Sequence, residues 1–171
     1  MLEYWQLILS YLVIVLGFFV GVIIRKKTGN EVIVGKKAII LGLRAILIIL
    51  SIMVLINMNN FLIFFLCVLL GVVIAYFLRY AVLFLGLLAI GFSSNTLFLL
   101  VISIIFITLL VYGTLFRYNK KRLYLNLVIS ILPLILFLIL NIKSNETYSS
   151  ILNGISLGGL LSIIIKIERY I

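Results

Sequence analysis

Two arginines, Arg44 and Arg79, stand where so apolar a chain has least use for charge. Arg44 lies inside an apolar run, Ala38 to Ile56, and Arg79 closes another, Phe61 to Leu78. A guanidinium offers a planar fork of donors that fits phosphate or carboxylate oxygens two at a time, so the chemistry these residues suggest is anion capture. The two runs are joined only by Asn57 to Asn60, which places both arginines near one end of antiparallel neighbours. Arg44 and Arg79 are therefore the candidate anion or headgroup-binding residues, with the cluster Arg117 to Arg122 as a further source of positive charge. The plainer reading of Arg44 is an anchor. It lies seven positions beyond Lys37, about 10 Å along a helix, which a snorkelling side chain can cover.

Other chemistry is scarce. The chain has no histidine and one cysteine, Cys67, which excludes an internal disulfide, a cysteine-based metal site and the commonest general base. The four acids, Glu3, Glu31, Glu146 and Glu168, all fall at the ends of apolar runs or between them. Proton relays and most cation-coupled pumps use acids or histidines inside the membrane, and paired carboxylates hold Mg²⁺ for lipid diphosphate chemistry. Neither pattern occurs, and no metal or cofactor is expected. An enzyme would have to work with Arg, Lys, Ser, Tyr and Asn alone, which leaves enzymatic activity open but weighs against it.

The elements that position these residues follow from composition. Of 171 residues, 66% are hydrophobic and 11% charged, with a mean hydropathy of +1.45. A soluble domain is roughly half apolar and about a quarter charged, so no water-soluble surface can be assembled here. A hydrocarbon core of about 30 Å takes roughly 20 residues per helix, which gives an all-α integral membrane protein, a bundle of about seven transmembrane helices in a single domain, 1–171. The expected spans are Met1 to Ile24, Ala38 to Ile56, Phe61 to Leu78, Ala81 to Phe92, Leu97 to Phe116, Leu123 to Leu140 and Ile151 to Ile165. The first lacks a basic leader and a small-residue cleavage site, and it reads as a span rather than a signal peptide. The fourth is short; it either crosses as a thin helix or re-enters on the side it left.

Charge orients the bundle. Short loops rich in Lys and Arg stay cytoplasmic. Placing the N-terminus outside and the C-terminus in the cytoplasm puts Arg25, Lys26, Lys27, Lys36, Lys37, Arg79, Arg117, Lys120, Lys121, Arg122, Lys166 and Arg169 inside, twelve of fourteen cations. Lys143 alone faces out, in a polar loop from Asn141 to Ser150. The net charge of +10 is then accounted for by juxtamembrane loops and anionic lipid headgroups, and no nucleic-acid partner is expected.

Small residues mark where helices could approach closely. Gly17 and Gly21 form one such pair, while Gly154, Gly158 and Ser162 repeat at intervals of four in the last span. Pro133, the only proline, should kink the sixth span by freeing the carbonyl of Ile129. Gly29-Asn30 reads as a tight turn leading into a small surface hairpin. Three spans on either side of the short fourth would accommodate a diverged pair of halves.

These features imply a multi-pass protein of the cell membrane, partnered by the lipid bilayer and by a membrane-protein partner or further copies of itself. Three function classes fit: a non-enzymatic transport-related subunit or small component of a larger membrane complex; a lipid-phosphate handling or lipid-modifying protein with a cytoplasmic-side anion site; and a membrane sensor whose output lies in a partner.

Overall fold

Helices α1 (Tyr4–Lys27), α2 (Lys36–Ile56), α3 (Phe61–Phe77), α4 (Ala81–Gly91), α5 (Phe98–Leu115), α6 (Lys120–Leu140) and α7 (Glu146–Tyr170) follow one another along the chain. The structure, a computed structural model, describes residues 4–29, 34–58, 61–78, 80–93, 96–116, 120–140 and 146–170. Among these every regular element is helical, and four helices are long and apolar enough to cross a membrane: α1, α2, α5 and α7. α3 and α4 are apolar but shorter.

The apolar runs became helices with two systematic differences. α1 continues through Arg25, Lys26 and Lys27, and the Thr28 N–H and hydroxyl both bond back to the carbonyl of Ile24. Lysine and arginine are good helix formers and favour a helix C-terminus, so positive charge ends the apolar run without ending its helix. At the other end of the chain, α7 starts at Glu146 rather than Ile151, taking in five residues expected in the polar loop. An acid in the first turn suits the helix dipole there. The hairpin expected around Gly29-Asn30, with Lys26 to Thr28 as its first arm, does not have that arm extended: Lys26 and Lys27 belong to α1 and Thr28 bonds back to Ile24, while 30–33 lie outside the described residues.

Glycine contacts give the relative directions of the helices. Gly17 meets Phe106, while Gly21 meets Leu110 and Gly113, so α1 and α5 run parallel. Gly154 meets Phe64 and Cys67, while Gly158 meets Val68 and Val72, so α3 and α7 run parallel as well. Phe84 packs on Gly159 and Gly91 on Asn153, so α4 runs against α7. Consecutive crossings would produce this alternation. The two parallel pairs also join corresponding helices of the three on either side of α4.

The centre of the bundle is α4. Each of its eleven residues is buried, enclosed by α7, α6, α5 and α1. A helix apolar on every face has no preferred side to turn to solvent or lipid and is stable only where neighbours cover it all round. At 1.5 Å per residue it is about 16 Å long, roughly half a hydrocarbon core. α2 packs on α5 and α7 through Ile40, Leu43, Leu47, Leu50, Ser51 and Val54, while α3 packs chiefly on α7. The outer faces of α1, α2 and α3 stay exposed and carry large apolar side chains, among them Leu12, Leu16, Ile48, Ile52, Phe65, Leu69 and Val73.

Candidate functional site

Arg44 sits at the edge of the packed side of α2, within one turn of the buried residues Ile40, Leu43 and Leu47. It is half-buried and its Nε is enclosed by neighbouring atoms. Leu41 and Ile48, three and four positions away on the same flank of the helix, are exposed, so Arg44 lies on the border between the packed stripe of α2 and its outer face. Arg79 and residues 117–119 lie outside the described residues, and the structure does not bring Arg44 and Arg79 together as a described pair.

The four glycines among the small-residue positions, Gly17, Gly21, Gly154 and Gly158, occupy close helix contacts. A methyl added at Gly21 would fall on the carbonyl oxygen of Leu110 and lie 2.9 Å from Gly113 Cα; one at Gly17 would lie 2.8 Å from the Phe106 ring. At Gly154 it would lie 2.7 Å from Cys67 Cβ, and at Gly158 it would fall on the carbonyl oxygen of Val68. Ser162 is buried. In lipid, where apolar burial between helices gains little over acyl chains, such backbone approach is a main source of helix association. The α1/α5 contact is completed by aromatic packing: Phe18 meets the rings of Tyr112 at 6.1 Å and Phe116 at 5.5 Å.

Hydroxyls of the helices divide into two kinds. Ser51, Ser103, Thr108 and Ser156 each donate to the carbonyl one turn earlier, at 2.7–2.9 Å, and so are satisfied within their own helix. Tyr11 and Ser149 reach another helix. The Tyr11 hydroxyl donates to the carbonyl of Ser130, in the turn that precedes Pro133. α6 continues through Pro133, which is itself buried, and Gly86 of α4 lies under the proline ring and the Tyr11 hydroxyl. The carbonyl that takes the phenol is that of Ser130, one residue beyond the Ile129 carbonyl that Pro133 frees. Tyr11 gave no signal in the sequence, where it reads as one more aromatic in an apolar run.

Ser149 donates to the carbonyl of Gly91, the last residue of α4, at 2.6 Å, and accepts from Asn153 Nδ2 at 3.4 Å. Asn153 is 4% exposed, and its Oδ1 has no hydrogen-bond donor. These residues were missed because Ser149 was assigned to a loop and Asn153 to the end of an apolar span.

Among the described residues no group of three His, Cys, Asp or Glu side chains comes together, and the polar side chains described within the bundle are hydroxyls, amides and the Arg44 guanidinium. A crevice between α1, α4 and α5, lined by Ser10, Tyr11, Ile14, Ala89, Ile90, Phe98 and Ile102, is too narrow for a water molecule. Such a set can bind anions at guanidinium groups and small ions at carbonyl and amide oxygens, and it can hold helices together. Compared with protein-family models, with curated proteins and with solved structures, the chain finds no match.

Proposed function

We propose that this chain is a non-enzymatic multi-pass protein of the cell membrane, crossing seven times with its N-terminus outside, and that it works as a transport-related subunit or small component of a larger membrane assembly. The observation that carries the reading is the filling of the bundle's centre by α4, buried at every position. A centre occupied by a helix leaves the perimeter and the two ends as the surfaces on which the chain can act, which suits a structural partner better than a catalyst or a carrier with an internal chamber. The parallel pairing of α1 with α5 and of α3 with α7, and the opposed direction of α4, support the seven crossings. α4 would then cross as a thin helix, its length made up by flanking residues, instead of re-entering.

A second reading is favoured by one feature, the half-burial of Arg44 at the edge of the packed face of α2. Under it, the cytoplasmic end of this helix captures an anionic headgroup or a phosphate-bearing lipid. Purification of the tagged chain from its native membrane in mild detergent, followed by native mass spectrometry, separates the two. The assembly reading expects a second polypeptide in fixed stoichiometry. A chain that arrives alone, carrying one phospholipid or polyprenyl phosphate per copy, overturns it in favour of the second.

A further inference from the structure

The last carbonyls of a helix lack intrahelical donors, and that end carries about half a negative charge from the aligned peptide dipoles. At the end of α4 some of this demand is met locally: Phe92 N–H bonds to Leu88 O and Ser93 N–H to Ile90 O, both at 3.0 Å. Gly91 O takes the Ser149 hydroxyl, Ser149 Oγ takes Asn153 Nδ2, and the chain of bonds stops there. Asn153 Oδ1 is left buried with no donor, turned so closely onto Gly91 that a methyl on that residue would fall on it. Three neutral oxygens from two helices thus lie together at the negative end of a buried helix dipole, and one of them is unsatisfied. Neither Ala81 to Gly91 nor Thr147 to Ile165 contains a lysine or arginine that could supply the missing positive charge.

We propose that Gly91 O, Ser149 Oγ and Asn153 Oδ1 form a binding site for a monovalent cation of the size of Na⁺. Carbonyl, hydroxyl and amide oxygens are hard ligands suited to such ions, and helix C-terminal ends with freed carbonyls coordinate them inside membrane proteins. A divalent ion is disfavoured because no carboxylate among the three ligands offsets the second charge. The Ser149 hydroxyl turns its hydrogen away from Gly91 O as the ion arrives, so that Oγ becomes a ligand. Ser149 is half-buried near the start of α7. The inference does not depend on the assembly reading above.

The rival is purely structural: Ser149 caps α4, and Asn153 only orients it. Thermal unfolding of the purified full-length chain in detergent, in NaCl, LiCl, KCl or choline chloride at constant ionic strength, decides between them. With Na⁺ at ten times its half-saturating concentration the midpoint should rise about 3–6 °C over choline. Asn153→Leu should abolish the rise. Asn153→Asp, which adds charge without bulk, should lower the half-saturating Na⁺ concentration tenfold or more, whereas a cap alone would only be weakened by a buried carboxylate. Equal midpoints in Na⁺ and choline, a Na⁺ shift that survives Asn153→Leu, or an unchanged half-saturation in Asn153→Asp would each overturn the site. Where Asn153→Leu does not fold, the salt series on the parent and Asn153→Asp decide.

Discussion

Gly158→Ala adds one methyl group at the point where α7 lies on α3. The new carbon would fall on Val68 O, with Val72 N at 2.8 Å and Val68 C at 2.9 Å. All three are backbone atoms, so no side-chain rotation relieves the clash. Atoms in ordinary contact stand roughly 3.5 Å apart, and the two helices must therefore separate or slide by about 1 Å. Overpacking of this kind costs about 1–3 kcal/mol, and a chain of this length loses about 2–4 °C of midpoint per kcal/mol, giving a fall of about 4–8 °C for a mid-range cost. The same substitution at Gly42 should have the opposite sign. Gly42 is exposed in the middle of α2 with nothing within 4 Å of its added methyl, so Ala there gains about 0.5–1 kcal/mol of helix propensity. Cys67 supplies the assay, because it is the only thiol, is half-buried, and lies against Gly154 in the same interface. A thiol-reactive fluorogenic dye added during heating reports the opening of α3 from α7. Equal midpoints for Gly158→Ala and Gly42→Ala would refute the claim that backbone approach holds this pair.

Tyr11→Phe removes the phenol donor from the buried Ser130 carbonyl, and should cost about 1–2 kcal/mol in the same assay. Arg44→Lys separates anchor from anion site: native mass spectrometry should show less retained anionic lipid than in the parent if the guanidinium grips a headgroup with two donors, and the same retention if it only snorkels.

How far the sequence reaches is clearest at α4. Its existence and bounds followed from an apolar run between Arg79 and the Ser93 to Thr96 break, but its central place did not. A segment that is apolar on every face carries no moment to say which neighbours it meets, and the same run suits a buried helix or a lipid-facing one. Gly17, Gly21, Gly154 and Gly158 were legible as close-packing positions because spacing by four is a local property. Their partners were not: that Gly21 meets Gly113, and that α7 chooses α3, depends on contacts more than eighty residues apart in sequence. Tyr11 and Asn153 were illegible for a related reason. A single polar atom in a span is informative only once the carbonyl it reaches, or fails to reach, is known.

The account rests on seven crossings with the basic segments in the cytoplasm, and cysteine accessibility in intact cells tests this most directly. In a Cys67→Ala background, single cysteines at Asn59, in the α2–α3 connection, and at Asn145, just before α7, should react with an impermeant maleimide added outside. Cysteines at Asn30, between α1 and α2, and at Asn119, just before α6, should react only after the membrane is permeabilised. Labelling of Asn30→Cys in intact cells, with Asn145→Cys protected, would contradict the topology and with it every assignment of a cytoplasmic face.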